Sequence, residues 1–317
     1  MKPTVLLTNA IHPDGLSYLE QHADVIIPSN ENPALLPELV RNIDGLIVRT
    51  QLPEDIFDFA NRLRAVVRHG VGLDMIPVRQ ATLKGIPVAN VPGANTAAVV
   101  EYCLSAILGR YRPLEKIDSL FRQRGWDAGK QVGTACGELN GATLGVVGVG
   151  AIGKNLGQLA AALGMTVLGL TRRPDSLPAS IQAADKPALF SRADVVVLCC
   201  PLNNETRGLV DAAALAMMKK DAMLINVARG PVVDKHALIN ALNNNELGGA
   251  VLDVYDQQPL PGDDPLLTCP RLILTPHIAG TTIPSLRRMS MAAVHELLSL
   301  LNHRTSQFLV NPEVFNT

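Results

Sequence analysis

The sequence lacks the features that mark nucleic-acid-binding, membrane and disordered proteins. Its 317 residues carry a formal net charge of −1, so no basic excess favours a nucleic acid and no block of like charges predicts a solvated tail. No apolar run approaches the roughly 20 residues that cross a bilayer. We therefore expect neither a nucleic acid nor a membrane among its partners.

Metal-ligand spacing is also missing among the five cysteines, which are an odd number. Cys199 and Cys200 are adjacent and end an apolar run, where neighbouring side chains point to opposite faces. We predict buried, reduced thiols and no metal site. The first apolar run, residues 4–8, has the length of a strand and not of a signal peptide, so we expect a cytoplasmic protein.

What the sequence does contain is a repeated alternation of short apolar runs and amphipathic segments. Helices are expected at residues 12–21, 54–62, 154–163 and 285–302, with a joint between two domains inside the stretch 95–110. Strands are predicted at residues 5–8, 25–28, 46–49, 65–68, 87–90, and again at 143–147, 166–171, 194–199, 223–226, 249–252 and 272–275. Such alternation predicts an α/β fold with two doubly wound parallel-sheet domains, the second a Rossmann dinucleotide-binding domain.

A glycine-rich loop follows the first strand of the second domain. Gly148, Gly150 and Gly153 fit the pattern G-x-G-x-x-G, with Ala151 and Ile152 between the last two. A strand precedes this loop and a helix follows it, which is the context that makes the pattern persuasive. Free N–H groups at the start of such a helix bind a pyrophosphate.

The end of the next strand favours NADP over NAD. An NAD site usually places Asp or Glu here to hold the ribose 2′-hydroxyl, whereas this sequence has Thr171 followed by Arg172 and Arg173. A guanidinium group suits a 2′-phosphate. The alternative is that both arginines are merely solvated and that NAD is used.

Three further motifs, at residues 225–234, 252–259 and 274–280, begin where predicted strands end. Ligands of open α/β sheets bind at the carboxyl ends of strands. Together with R-H-G-V-G-L-D at 68–74, the segment 90–101, Gly125-Trp126 and residues 137–139, these motifs resemble the D-isomer-specific 2-hydroxyacid dehydrogenases. That family includes phosphoglycerate dehydrogenase and glyoxylate/hydroxypyruvate reductase, and the similarity runs over nearly the whole chain.

The resemblance implies three catalytic positions, an arginine, a glutamate and a histidine. They fall on Arg229, Gln258 and His277, so the glutamate is replaced by a neutral amide. A guanidinium can hold the substrate carboxylate and polarise the 2-oxygen, and an imidazole can give or take the proton. Without the carboxylate, which is commonly worth about 1–3 pKa units, we expect the pKa of His277 to be lower than in relatives and keto-acid reduction to favour acidic pH.

The resemblance also implies the remaining site residues and the domain roles. Residues 1–98 with 282–317 are expected to form a flavodoxin-like substrate-binding domain, and residues 99–281 the cofactor domain. Backbone groups of Gly70, Val71 and Gly72 would hold the substrate carboxylate, and Arg49 and Arg68 would favour a second anionic group unless they form surface ion pairs. A homodimer is implied, with contacts near Trp126. Further cofactor contacts are implied at Cys200, Pro201, Thr206, Val227, Ala228, Asp253 and Gly280.

These observations predict an oxidoreductase that transfers a hydride between NADPH, or NADH, and a small 2-keto or 2-hydroxy acid. Two alternatives stay open. The glutamine–histidine pair is a feature of formate dehydrogenases, related proteins in which no proton moves. The loss of one catalytic residue would also suit a protein that senses the nicotinamide cofactor without turnover.

Overall fold

Two parallel β-sheets organise the chain, one in each of two units. The computed structural model describes residues 1–29, 33–303 and 306–315; the parts of the predicted domain ranges at 30–32, 304–305 and 316–317 lie outside them. One unit comprises Met1–Asn95 with Thr281–Thr317, and the other comprises Thr96–Gly280. The chain thus passes between the units at Asn95–Thr96 and at Gly280–Thr281. The roles predicted for the two units are still predictions at this point.

The first unit contains a five-stranded sheet in the order β2-β1-β3-β4-β5, with every pair parallel. Three helices precede the crossing into the second unit: α1 (Pro13–His22), α2 (Leu36–Leu39) and α3 (Val78–Leu83). The strands are β1 (Thr4–Leu7), β2 (Asp24–Ile26), β3 (Gly45–Val48), β4 (Ala65–Arg68) and β5 (Val88–Ala89).

The second unit contains a seven-stranded parallel sheet in the order β12-β11-β10-β9-β6-β7-β8. Its helices are α4 (Thr96–Tyr111), α5 (Leu114–Arg124), α6 (Trp126–Thr134), α7 (Ala151–Ala162), α8 (Lys186–Arg192), α9 (Ala212–Met217) and α10 (Lys235–Asn243). Its strands are β6 (Thr143–Val147), β7 (Thr166–Leu170), β8 (Gln182–Ala183), β9 (Val195–Leu198), β10 (Met223–Asn226), β11 (Gly249–Leu252) and β12 (Leu272–Leu274). The predicted α/β class with two parallel sheets is confirmed.

Two sequence predictions need correction. The helix expected at 54–62 is only a 3₁₀ turn, Ile56–Asp58. Its hydrogen bonds join residues three apart, as from Phe59 N to Ile56 O, and Asn61 N donates outside the segment to Arg41 O at 3.3 Å, so no α-helix continues. The six predicted strands of the second unit are joined by a seventh, β8, which was missed because it has two residues and both are exposed.

The last helix, α11 (Ile283–Leu301), packs in the first unit. Its apolar face, including Ala293, Val294 and Leu297, belongs to the same core as the central strands β1, β3 and β4. Leu297 lies so close to β3 that a Cβ added to Gly45 would be 3.1 Å from its side chain. The segment at Asn311 is held in the same unit, since Asn311 Oδ1 accepts a 2.7 Å hydrogen bond from Val88 N.

The parallel arrangement brings the chemically informative loops of the second unit to one edge of its sheet. The segments that follow β6, β7, β9, β10, β11 and β12 all leave the carboxyl ends of their strands. Ligands of doubly wound sheets bind at that edge. Within the ranges that the structure describes, no helix is both long and apolar enough to cross a membrane.

Candidate active site

The phosphate-binding loop lies between β6 and α7, as the sequence predicts. Gly148 has φ +91°, a conformation that favours glycine, and an added Cβ would lie 2.6 Å from the backbone of Cys200. Gly153 allows the helix to pack tightly, because an added Cβ would lie 2.4 Å from Gly148 O. Ala151 and Ile152 form the first turn of α7, whose N–H groups have no partners within the helix.

Gly150 differs from the other two glycines, because its surroundings leave room for a ligand. It has an extended backbone (φ −86°, ψ −154°) at the N-terminus of α7, and no atom lies within 4 Å of the position that a Cβ would take. Bare backbone beside open space at a helix N-terminus is the geometry that a pyrophosphate needs. The residues present therefore fit a dinucleotide.

The loop after β9 lies against the phosphate loop. Cys199 Sγ donates a 3.0 Å hydrogen bond to Gly148 O, and burial raises the pKa of the Cys200 thiol to about 11. Thr206 Oγ1 donates to Pro201 O at 2.7 Å, which closes the loop on itself. The loop that carries Cys200, Pro201 and Thr206 therefore begins against Gly148 and is held by its own hydrogen bond.

The end of β7 presents both predicted arginines to solvent. Arg173 N donates a 3.2 Å hydrogen bond to Thr171 Oγ1, which shapes the turn. Arg172 Nη1 lies 3.8 Å from a carboxylate oxygen of Glu205, and both side chains are at least 70% exposed. An exposed pair of this kind contributes little to stability and leaves the guanidinium accessible to an anion.

Arg229 lies in the loop after β10, at the start of a 3₁₀ turn, Gly230–Val232. Its guanidinium donates to Ala228 O at 2.7 Å, and its own carbonyl accepts from Asn226 Nδ2 at 2.9 Å. Gly230 lets this loop press against the next one, since an added Cβ would lie 2.1 Å from the carbonyl carbon of Tyr255. The Arg229 loop and the segment leading to Gln258 are therefore neighbours. Val227 N donates to Leu198 O at 3.2 Å, which continues the sheet pairing into this loop.

Gln258 and His277, predicted from separate motifs, meet directly. His277 Nδ1 lies 2.7 Å from Gln258 Oε1, and Gln258 Nε2 donates to Tyr255 O at 3.3 Å. His277 adopts a left-handed backbone conformation (φ +57°) that is uncommon for a residue with a side chain. Asp256, which could have supplied a charge from the same strand, is exposed on a segment that leaves β11 at Leu252, so strand alternation does not govern which way it faces.

A buried carboxylate holds the loop that carries His277. Asp253 is 1% exposed, and its Oδ1 accepts from Ile278 N at 2.8 Å and from Thr275 Oγ1 at 2.5 Å. Its Oδ2 accepts from Ala279 N at 2.8 Å. The sequence predicts Asp253 as a cofactor contact. In the structure, both of its carboxylate oxygens hold the loop that ends at Gly280, the last residue of the unit.

Two tyrosines that the sequence analysis did not single out complete this hydrogen-bond network. Tyr102, on α4, lies with its hydroxyl 2.6 Å from Thr275 Oγ1, and Tyr255 donates to Thr275 O at 2.8 Å. Burial, and then the nearby charge of Asp253, raise the pKa of Tyr255 to about 12, so this hydroxyl stays protonated and can donate. Tyr102 and Thr275 are 173 positions apart, and no local pattern could have paired them.

The predicted substrate residues of the first unit group around the carboxyl end of β4. Gly70, with φ +144°, is buried, Val71 is 40% exposed, and Gly72 follows at partial burial. Arg68 donates to the carbonyls of Val48 and His69 at 2.8 Å each and to Gly72 O at 3.2 Å, so its guanidinium braces this loop. From the sequence, Arg68 is expected either to bind an anion or to form a surface ion pair. These hydrogen bonds to backbone carbonyls are a third role.

Arg49 and His69 directly follow the neighbouring strands β3 and β4. Arg49 donates from Nη1 to Ala10 O, and its backbone N donates to Thr8 Oγ1 at 2.8 Å. His69 is 4% exposed and lies 2.9 Å from Ser290 Oγ. Burial, and then the charge of Arg49, lower the pKa of His69 to about 3, so His69 is neutral.

Among the residues that the structure describes, no group of three or more His, Cys, Asp or Glu side chains could hold a metal ion. All five cysteines are free thiols: Cys103 and Cys200 are buried, and Cys136, Cys199 and Cys269 are partly exposed.

Comparisons with known proteins show the family of the chain. Residues 104–279 match the family model for the D-isomer specific 2-hydroxyacid dehydrogenase, NAD binding domain. The glyoxylate reductase of Thermofilum pendens is 35% identical over 324 residues, which cover 99% of this chain and 96% of that protein.

Solved structures of two further proteins share the fold over nearly the whole length. The NADPH-dependent glyoxylate/hydroxypyruvate reductase of Sinorhizobium meliloti, in complex with NADP and malonate, has a TM-score of 0.86 at 27% identity and covers 98% of each chain. The NAD-dependent formate dehydrogenase of Staphylococcus aureus, in complex with NAD, has a TM-score of 0.84 at 28% identity and covers 97% of each chain. The chain belongs to the D-isomer specific 2-hydroxyacid dehydrogenase family, and its second unit contains the nicotinamide-dinucleotide-binding domain of that family.

The open space at Gly150 generates a prediction for cofactor binding. Gly150→Ala places a methyl group where no protein atom interferes, so the free energy of unfolding should change by less than about 1 kcal/mol. The methyl group would displace the pyrophosphate, and the cofactor Kd should rise about tenfold or more, equivalent to about 1.4 kcal/mol. Cofactor fluorescence titration and thermal unfolding measure the two effects.

Gly262→Ala is the matched control, because Gly262 also has open space around its missing Cβ and lies in a different loop. It should leave both quantities unchanged. An unaltered cofactor Kd in Gly150→Ala would show that the dinucleotide does not approach this glycine.

Proposed function

We propose that this member of the D-isomer specific 2-hydroxyacid dehydrogenase family reduces a small 2-keto acid with NADPH and catalyses the reverse oxidation. The observation that best supports the proposal is the 2.7 Å contact between His277 Nδ1 and Gln258 Oε1. This pair lies at the same edge of the sheet as the phosphate loop. It provides a half-exposed imidazole held in one orientation, which proton transfer to a substrate oxygen requires.

The hydrogen bonds of Gln258 fix the tautomer of His277. The Gln258 amide nitrogen donates to Tyr255 O, so its oxygen faces the imidazole and can only accept. His277 Nδ1 must therefore carry a hydrogen, and Nε2 is the atom that gains and loses the reactive proton. In keto-acid reduction, protonated His277 Nε2 gives its proton to the developing alkoxide.

Arg229 has the chemistry to bind the substrate carboxylate and polarise the 2-oxygen. Its guanidinium stays charged at every relevant pH and offers several donors in a planar fork. One of these donors holds Ala228 O at 2.7 Å and anchors the group. The extended backbone at Arg229 and the packing of Gly230 against Tyr255 keep this loop beside the one that carries Gln258.

The nicotinamide cofactor supplies the hydride in reduction and accepts it in oxidation. We infer NADPH in preference to NADH because Arg172 and Arg173 follow β7 where an acidic residue would repel a 2′-phosphate. The exposed position of Arg172 supports this assignment. Glu205 lies 3.8 Å from Arg172, and this exposed pair is weak enough for a phosphate to replace it.

For the substrate, we favour an unphosphorylated 2-keto acid of two or three carbons. The N–H groups of the loop Gly70–Gly72 are the proposed carboxylate contacts. Arg68 donates to three carbonyls around this loop, which favours a role in shaping it over binding a second anionic group. The match to the Thermofilum pendens glyoxylate reductase is consistent with such a small acid.

We also propose a homodimer, in which a second copy covers the helices α5 and α6. Helix α5 has no buried residue, and the aromatic pair on these helices is open to solvent: Phe121 is 46% and Trp126 70% exposed. Their rings contact each other edge to face, with centroids 6.0 Å apart. The molar mass in solution, measured by light scattering, tests this assembly.

Formate oxidation is the second candidate function. The Gln258–His277 pair favours it, because hydride transfer from formate moves no proton and needs no charged partner for the histidine. The fold shared with the Staphylococcus aureus formate dehydrogenase is consistent with this reaction. A cofactor-sensing protein without turnover is the remaining alternative.

Oxidation of NADPH and NADH in the presence of glyoxylate, hydroxypyruvate, phosphohydroxypyruvate and pyruvate, followed by absorbance at pH 5.5 and 7.5 (on the order of one unit either side of the usual histidine pKa), separates these functions. We expect turnover with glyoxylate or hydroxypyruvate, a higher kcat/KM with NADPH, and faster reaction at the lower pH. Formate with NADP⁺ or NAD⁺ is the parallel assay. Turnover of formate alone would replace the proposal, and cofactor binding without any turnover would favour the sensor.

A second prediction concerns the neutral partner of His277. Gln258→Glu places a carboxylate against His277 Nδ1 and should move the pH at which reduction declines upward by about 1–3 units. The sign follows because reduction consumes protonated His277, and a negative neighbour keeps the ring protonated to higher pH. The pH profile of kcat/KM for glyoxylate reduction measures the shift.

Gln257→Glu is the matched control, since it adds the same charge at the neighbouring exposed residue. Its profile should follow that of the wild type. If Gln258→Glu also leaves the profile unchanged, His277 does not control the reaction.

A further inference from the structure

Helix α4 and the loop that carries His277 are joined by a chain of side-chain hydrogen bonds. Tyr102, in the second turn of α4, lies 2.6 Å from Thr275 Oγ1, and Thr275 Oγ1 donates to Asp253 Oδ1 at 2.5 Å. The carboxylate of Asp253 also accepts the N–H groups of Ile278 and Ala279. The residues on either side of His277 are thus tied to one buried group.

The direction of each hydrogen bond in this chain follows from its last member. An ionised carboxylate accepts hydrogen bonds but does not donate them, so the Thr275 hydroxyl donates its one hydrogen to Asp253. Thr275 Oγ1 can then only accept from Tyr102, which must be the donor. Burial raises the pKa of Tyr102. The hydrogen bond with Thr275 lowers this pKa and the charge of Asp253 raises it, but burial is the largest effect. The phenol therefore keeps the hydrogen that it donates.

These hydrogen bonds connect the two ends of the second unit. Helix α4 begins at Thr96, the first residue of the second unit, and the His277 loop ends at Gly280, the last one. The two segments by which the backbone enters and leaves this unit are therefore linked to each other through Tyr102, Thr275 and Asp253. His277 lies three residues before the exit, in a left-handed conformation that its neighbours must maintain.

We propose that Tyr102 is a positioning residue for His277, acting through Thr275 and Asp253 to hold the loop 275–280 in the conformation that proton transfer requires. The Tyr102 hydroxyl contacts Thr275, and its effect reaches His277 through the loop that Asp253 holds. Tyr102 donates a hydrogen bond to Thr275 Oγ1, and the hydrogen of the Thr275 hydroxyl then points toward Asp253. The inference rests on the proposed function for its kinetic consequence and on the structure alone for its effect on the loop.

Tyr102→Phe removes one hydroxyl and leaves the ring. Loss of a neutral hydrogen bond of this kind corresponds to about a fivefold effect. We expect kcat for glyoxylate reduction to fall about fivefold to tenfold, while the KM for NADPH and the cofactor Kd stay within about twofold of the wild type. Amide hydrogen exchange of Ile278 and Ala279 should accelerate by a similar factor.

Tyr111→Phe is the matched control, because Tyr111 lies at the other end of α4 and is also partly buried. It should change neither kcat nor the exchange of residues 278 and 279. A second pair of variants tests the middle of this hydrogen-bond chain. Thr275→Val loses both hydrogen bonds of the hydroxyl, including the one to the Asp253 carboxylate, and should lower kcat at least as far as Tyr102→Phe, whereas Thr275→Ser should keep wild-type behaviour.

The outcomes separate this inference from the proposed function. If the wild type reduces no 2-keto acid, the proposed function fails, and the exchange rates of residues 278 and 279 still decide whether Tyr102 holds the loop. If the wild type turns over and Tyr102→Phe matches it in both kcat and exchange, the inference is overturned. Equal losses in kcat and in cofactor affinity would also overturn it, since they would indicate a general structural defect.

Discussion

The buried carboxylate of Asp253 is the constraint on which the candidate site depends. It is 1% exposed and satisfied by three donors, all of them in the segment that surrounds His277. Removing the partners of a buried charge typically costs about 3–5 kcal/mol, so the loop cannot leave Asp253 without a large penalty. The same residue directly follows strand β11, and its backbone N donates to Asn226 O at 3.1 Å, which continues the pairing of β11 with β10. The position of His277 is therefore set by the sheet, both through Asp253 and through β12, which ends three residues before it.

The partner of His277 is neutral, and this has a consequence for the chemistry. A carboxylate would both orient the ring and stabilise its charged form, whereas the Gln258 amide orients it only. Orientation is secured at two points, because the amide nitrogen holds Tyr255 O while the oxygen holds the ring. The arrangement separates the positioning of the imidazole from the adjustment of its pKa, two roles that one glutamate would otherwise combine.

Much of this fold and part of the site could be predicted from sequence, because the signals involved are local. Strand–turn–helix context indicated Gly148, Gly150 and Gly153, whereas Arg229, Gln258 and His277 were predicted from the family resemblance of motifs that begin at strand ends. The helix expected at 54–62 was wrong because Asn61 N donates to Arg41 O and not to a carbonyl within the segment, a tertiary contact that no local pattern indicates. Tyr102 was missed because its hydrogen bond spans 173 positions, and the bracing by Arg68 was missed because its partners are backbone carbonyls, which have no sequence signal.

We propose that His277 carries the reactive proton, and the turnover of the His277→Asn variant tests this assignment. Asparagine tolerates the left-handed backbone at this position, so the loop should keep its shape. We expect kcat for glyoxylate reduction by NADPH to fall at least about 100-fold while the NADPH Kd stays within about twofold of the wild type. A variant that reduces glyoxylate at the wild-type rate would contradict it, because the proton would then come from another group.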